Sequence, residues 1–314
     1  MAVKDFAEFG IDIQMDVFDS AIDNKKIDKI LNENNFEIYD FVIGPVTNNL
    51  FNYFVSMIKD SELKIVNPLS KKQNLDSRII NTIPNDTILF NEIISFVKRD
   101  TTKSEKFIIS DSKSISISDK IKRIFPNAKQ FFSKINESGV DTKTLVYEDL
   151  DSTFVKGKNI VFLETKEKGF VSNVSSILNS FTNDTISIEL FTTNKNNAFE
   201  GVNISNKNLS NLKFKYASTN KKIDMILDKQ FIDKFIAKYN YYPNKYSIRA
   251  YDIIFDLLLR ISNGDLDDND IFEIEAEYIE NKFKYTRSLG GSIDNIAIYL
   301  IKHENLKIDE LIEK

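Results

Sequence analysis

Short apolar runs and amphipathic helical stretches alternate through most of this chain, and that alternation limits its fold more than any other feature. Strand patterns at 11–19, 40–44 and 63–67 are separated by helical patterns at 25–34 and 48–59, and another helical pattern follows at 87–99. A strand that returns parallel to its neighbour needs a crossover of about a dozen residues, usually a helix. The pattern therefore predicts βαβ units, a parallel sheet and right-handed crossovers. One unit stands out. Phe41, Val42 and Ile43 read as a buried strand, Gly44-Pro45 as a turn, and Thr47-Asn48-Asn49 as a polar step into the next helix. The strand at 63–67 likewise ends in Pro68, Leu69 and Ser70. Two polar loops then stand side by side at the carboxyl edge of the sheet, where open α/β folds bind small ligands.

A polar linker at 100–105 opens a second series. Strands are expected at 106–110, 128–133, 159–163, 186–191 and 212–216, with helices at 118–125, 141–151 and 169–181. Two long helices, 223–239 and 247–262, precede an acidic stretch at 265–280. The end is strand-rich, at 281–286, 295–301 and 306–308, with Gly290-Gly291 marking a hairpin turn. At 314 residues the chain is too long for one ordinary sheet, so two α/β lobes are expected. The segments read as a first lobe at 1–103, a second at 104–217, a helical return to the first at 218–279, and terminal strands at 280–314 packing on the second. The first nine residues look like the last turns of a helix closed by Gly10. An α/β fold that opens mid-helix suggests a first strand upstream of Met1; a fold that simply begins with a short helix is the alternative.

Composition removes several function classes. With no cysteine there is no disulfide, thiolate nucleophile or cysteine-held metal. The one histidine, His303, follows an apolar run and is expected at the surface. The net charge is −5 and the lysines are scattered, which is not the footprint of a nucleic-acid binder. Phe (25) and Tyr (12) fall at strand and helix spacing, as core residues do. No run approaches the ~18 apolar residues of a membrane span, and no signal-peptide pattern precedes Asp5. A calcium loop starting at Asp265 needs Gly at position six and Glu at position twelve; Asp270 and Ala276 stand there, so the stretch reads as solvated acid. GxSxG, P-loop and GxGxxG motifs are absent. No cofactor, metal site or catalytic group is expected, since a single histidine and no cysteine leave few nucleophile–base pairs.

Val42-Ile-Gly-Pro45 with its polar helix start, Ile65-Val-Asn-Pro-Leu-Ser70, Tyr251-Asp252 inside an apolar helix, and Phe283-Lys-Tyr285 followed by Gly290-Gly291 and Asn295 occur in a particular order. In that order the chain resembles type I periplasmic binding proteins of the branched-chain amino-acid receptor group. More closely it is similar to the receptor-like domain that follows LysM peptidoglycan-binding repeats in exported proteins of flavobacteria and relatives. The likeness spans nearly the whole chain but lacks that family's first strand. It implies two lobes joined by three crossings, near 101–105, 217–221 and 276–282, with a cleft between them and a place in the periplasm or cell envelope. Peptidoglycan would be reached through other domains of the parent protein, and an envelope protein would be a partner.

The candidate ligand residues are Thr47, Asn48 and Asn49, Ser70, Asp111 and Ser112, Thr165, and Thr192 and Thr193, all just past strand ends. Each is also what a cap or turn requires. Thr47 stands where the resembled receptors use a hydroxyl, whereas Asn48 and Asn49 depart from their small-hydroxyl pattern. Glu164 and Glu200 are candidate partners for a ligand ammonium, though neither sits in a motif. Two functions remain open: a non-enzymatic domain taking a small molecule or peptide between its lobes, or a structural module of an envelope complex whose cleft is vestigial.

Overall fold

The structure is a computed structural model; it describes residues 1–59, 62–72, 76–201, 203–264 and 273–312. Of the acidic stretch at 265–280, residues 265–272 lie outside the described residues. Contacts divide the chain into one unit of Met1–Asn85 with Thr219–Ile298 and another of Asp86–Ser218 with Tyr299–Lys314. The chain thus passes between units at 85–86, 218–219 and 298–299. The expected crossings lay near 101–105, 217–221 and 276–282. The helix at 86–99 goes with the second unit, and the Gly-Gly hairpin with the first.

In the first unit, helix α1 (Ala2–Ala7) is followed by α2 (Asn24–Glu33), strand β1 (Phe41–Ile43), α3 (Asn48–Met57), β2 (Lys64–Asn67) and β3 (Ile79–Asn81). The other elements of this unit come late in the chain, after the second unit is built. The second unit opens with α4 (Asp86–Arg99), β4 (Ser104–Ser110), α5 (Ile115–Ile124), β5 (Lys129–Phe132) and β6 (Gly157–Glu164). It continues with α6 (Lys168–Phe181), β7 (Ile186–Phe191), α7 (Asn206–Asn211) and β8 (Lys215–Ser218). Back in the first unit come α8 (Lys229–Tyr239), α9 (Lys245–Asn263), β9 (Ala276–Glu277), β10 (Lys282–Phe283), β11 (Tyr285–Arg287) and β12 (Ile293–Asn295). Finally β13 (Tyr299–Glu304) and β14 (Lys307–Glu310) complete the second unit.

The first unit's main sheet runs β1-β2-β3-β12-β11. Its first four strands are parallel; β11 pairs antiparallel with β12 in a hairpin about Gly290-Gly291 as expected, but the strand expected at 295–301 is split, with β12 ending at Asn295 and β13 pairing with β8 in the second unit. Alternation along the strands sends Ile65 and Ile79 into a core with α2 and α3, and Val66 and Ile80 into one with Ile253 and Leu257 of α9. The second unit's sheet runs β14-β13-β8-β7-β6-β4-β5, with β4 to β8 parallel. One face packs Phe107, Val161, Leu163 and Leu190 on Phe170, Val174 and Leu178 of α6. The other sets Phe162 against Phe125 at the end of α5 and Phe191 against Phe96 of α4. The mixed α/β, two-lobe fold is as expected.

Several local expectations are overturned. Residues 11–20 form no strand, and Val17 is 81% exposed. Alternation makes a segment two-faced, but a strand also needs a neighbouring strand for its backbone groups, and none among the described residues pairs with this one. Residues 141–151 hold only a 3-10 turn, Tyr147–Asp149, after an Ile135–Asp141 bridge. The helix expected from 223 begins at Lys229, and the strand expected at 212–216 is shifted to Lys215–Ser218. Short β3 and α7 were not anticipated. His303 is buried, not exposed: 6% of its surface meets solvent, and its ring stands edge-on to Phe214 at 5.3 Å. Alternation on β13 points it inward with Tyr299 and Ile301.

Candidate functional site

The predicted residues fall at the carboxyl edges of the two sheets, each of which is built from residues of its own unit.

In the first unit, β1 ends at Gly44, whose N–H donates to Val66 C=O at 2.9 Å. Gly44 has φ +94°, a left-handed conformation that favours glycine. This turn delivers Thr47 to the N-cap of α3. The N-cap Thr usually spends its hydroxyl on the helix N–H groups. Here no such bond forms, and Thr47 Oγ1 is buried without a partner. Asn48 and Asn49 are exposed. Ser70 is buried; its N–H donates to Asn67 Oδ1 at 3.3 Å and its Oγ accepts from Lys72 N–H at 3.0 Å. Register places Asn67, Asn81 and Asp294 opposite one another on β2, β3 and β12. They form a buried chain: Asn67 Nδ2 donates to Asn81 Oδ1 (3.2 Å), and Asn81 Nδ2 donates to Asp294 Oδ1 (2.7 Å). Asn295 closes the edge by donating to Thr82 C=O and Lys282 C=O, both at 3.0 Å. A recess of only about 10 Å³ opens here, bounded by Lys71, Lys72, Asn81 and Asp294.

In the second unit, register pairs Ser110 with Glu164, and Phe162 with Phe191 two residues before Glu164 and Thr193. Ser110, Glu164 and Thr193 therefore form one row across β4, β6 and the end of β7. Glu164 Oε1 accepts from Thr193 N–H at 2.7 Å, and Oε2 from Thr192 Oγ1 at 3.5 Å. Burial pushes Glu164 up to about 8, against those two threonines, so it is largely protonated at neutral pH. Both flanking hydroxyls, Ser110 Oγ and Thr193 Oγ1, are buried without a partner. In the next row, Thr165 Oγ1 donates to Asp111 Oδ2 and accepts from Glu167 N–H at 3.0 Å. Asp111 Oδ1 caps the following turn through Lys113 N–H at 3.0 Å.

The structure thus gathers Thr165 about the buried carboxyl group of Asp111, and Thr192 and Thr193 about that of Glu164, on parallel strands that end in register. Ser112 is exposed and turned to Asp141, to which its N–H donates at 2.9 Å. Glu200 stands apart on an exposed turn with Lys195. Asn67, Asn81, Asp294 and Ser110 were missed. Asn67 and Ser110 each close an expected apolar strand, a signal that also marks a plain strand end, whereas Asn81 and Asp294 lie outside every expected strand. A larger recess, about 390 Å³, opens at the opposite edge of this sheet between Val97, Asp100, Lys106 and Phe125, and touches none of the predicted residues. Among the described residues no cluster of acids and histidine could hold a metal ion, and no helix is long and apolar enough to cross a membrane.

No family model matches the sequence, and no curated protein does. Solved structures do match in fold. A protein of Rhodospirillum rubrum named for a branched-chain amino acid ABC transporter superposes with a TM-score of 0.66 at 10% identity, covering 99% of this chain and 92% of that one. A branched-chain amino acid ABC transporter periplasmic ligand-binding protein of Burkholderia xenovorans gives 0.55 at 10% identity, over 99% and 87%. An ABC transporter substrate-binding protein of Desulfitobacterium hafniense, solved in complex with Leu, gives 0.54 at 15%, over 99% and 93%. At such identities the likeness is one of fold alone, and that fold is the two-lobe α/β architecture of type I periplasmic binding proteins.

Proposed function

We propose that this protein is a non-enzymatic ligand-binding domain of the periplasm or cell envelope that takes a small molecule or peptide between its two lobes. The observation that carries the reading is the row Ser110–Glu164–Thr193, buried at the carboxyl edge of a parallel sheet with two hydroxyls unpartnered. Unsatisfied buried polar groups cost about 1–3 kcal/mol each, so they are kept where something else meets them. The fold supports the reading, as does the unpartnered Thr47 Oγ1 on the first unit's edge. Thr47, Asn48, Asn49, Ser70, Asp111, Ser112, Thr165, Thr192 and Thr193 remain the proposed ligand contacts. We also propose that the domain belongs to an exported, LysM-bearing protein that reaches peptidoglycan through other domains.

A second reading is a structural module of an envelope assembly. The chain Asn67–Asn81–Asp294 favours it, because those polar groups are already satisfied by one another. So does the exposed run Met225, Ile226 and Leu227, at 56, 83 and 82%. A thermal-shift screen against amino acids, short peptides and muropeptides separates the two. Ligand at a hundredfold excess over Kd stabilises the native state by about 2.7 kcal/mol. A saturable rise in melting temperature that Thr193→Val and Thr47→Val weaken is the expected result. No rise with any compound, in folded protein, discards the receptor reading in favour of the module.

A further inference from the structure

Arg249 lies in the second turn of α9 with its Nη1 buried and without a hydrogen-bond partner. Among the described residues no carboxylate makes an ion pair with it. Burial lowers its guanidinium pKa, opposed by the through-space pull of Asp252, Tyr285 and Glu280. Asp252, one turn on, is already saturated. It accepts the backbone N–H groups of Ile279 (3.3 Å), Glu280 (3.1 Å) and Asn281 (3.1 Å), and Asn281 Nδ2 at 2.7 Å. That last bond fixes the Asn281 amide and leaves its Oδ1 buried and unpartnered. An orphaned donor and an orphaned acceptor are thus held by the segments that share Asp252.

Their position follows from the chain. Asn281 immediately precedes Lys282, whose C=O accepts from Asn295 Nδ2 at the end of β12. Arg249 and Asn281 therefore belong to the carboxyl edge of the first sheet, which also carries Thr47 and Ser70. The second crossing arrives at the same place: Asn220 bridges Asn281, and Lys221 N–H donates to Glu280 C=O at 2.9 Å. Arg249 is partly exposed, but its Nη1 is withdrawn from water and left unpaired, which is unfavourable unless a partner completes it. Its planar fork matches a carboxylate better than any other common group.

We propose that Arg249 is a carboxylate-recognising residue of this edge, binding the carboxylate of a small ligand through Nη1 while Asn281 Oδ1 accepts from an N–H or O–H on the same molecule. The proposal rests on the ligand-binding reading above and names the chemistry its ligand must carry. The test is a thermal-shift and calorimetric titration of lactate, leucine and alanyl-alanine, each beside its neutral amide. Wild type is compared with Arg249→Gln and Arg249→Lys. At least one acid should raise the wild-type melting temperature saturably while its amide does not. Arg249→Gln should weaken that acid tenfold or more, and Arg249→Lys should recover part of it. Free of ligand, Arg249→Gln should melt no lower than wild type, since it removes a buried donor that has no partner. Equal acid binding by wild type and Arg249→Gln overturns the proposal, and so does a ligand-free Arg249→Gln that melts several degrees lower. If only the amides bind, Arg249 is wrongly assigned and the receptor reading stands; if nothing binds, both fail.

Discussion

Two buried residues translate their surroundings into pH dependence, with opposite signs. Glu164 is held up to about 8 by burial, against a usual 4.5, so the native state keeps a proton that the unfolded chain releases. Stability from this group is complete below pH 4.5 and is lost as pH rises towards 8, by up to about 1.4 kcal/mol per pH unit. Glu164→Gln should therefore match wild type in melting temperature near pH 5 and exceed it by several degrees at pH 9. Parallel melting curves for the two proteins across that range would show that Glu164 ionises without penalty. His303 works the other way. Burial and then Lys195 hold its imidazole down to about 4, so the unfolded chain takes up a proton as pH falls below 6.5 and the native state loses stability there. The surface position expected for His303 rested on its place after an apolar run. It could not anticipate that Phe214 and Tyr216 would stand over that strand.

At the scale of elements, a charge ladder joins α4 to the second sheet. Asp100, just past α4, meets Lys158 of β6 at 2.5 Å; Lys158 meets Glu189 of β7 at 3.2 Å, and Glu189 meets Lys215 of β8 at 2.6 Å. Burial opposes the charge on Asp100, but the Lys158 ammonium and two bonds from Thr102 outweigh it and bring Asp100 down to about 2. The stability it adds is present above pH 3.8 and lost as pH falls towards 2. Asp100→Asn is expected to lower unfolding free energy at pH 7 by about 1–2 kcal/mol, allowing for partial exposure. Urea midpoints at pH 7 and pH 2.5 check this, because the deficit should shrink sharply at the lower pH. The exposed pair Lys229–Asp233 on α8 has no such role, as pairs in water contribute little.

At the scale of the molecule, each unit is assembled from separated pieces of chain. The second depends on β13, which pairs antiparallel with β8 after 80 intervening residues. β13 brings Tyr299 and Ile301 into the core, and His303 N–H donates to Phe214 C=O at 2.8 Å. The excised piece 86–218 would expose Phe214 and Tyr216 along an open edge, forfeiting about 2–3 kcal/mol for each large side chain no longer buried. It should bind a hydrophobic dye and melt without cooperativity. The same piece with 299–312 joined by a flexible linker should melt cooperatively. Cooperative melting of 86–218 alone would show that β13 is dispensable.

The sequence alone determined the strand–helix alternation and the two-lobe class, because apolar period and turn residues are local properties of a chain. It also placed Asp111, Thr165, Thr192 and Thr193 just past strand ends, and parallel strands in register then brought them together. Only the tertiary structure decided which polar atoms meet: Glu164 with Thr193, or Asn81 with Asp294, 213 residues apart. It likewise decided that 11–20 would stay unpaired, that β12 would join β3, and that Arg249 and Asn281 would each keep a buried atom without a partner. A side chain's period along the chain reports which way it faces. What stands opposite it depends on residues that sequence distance does not bring near.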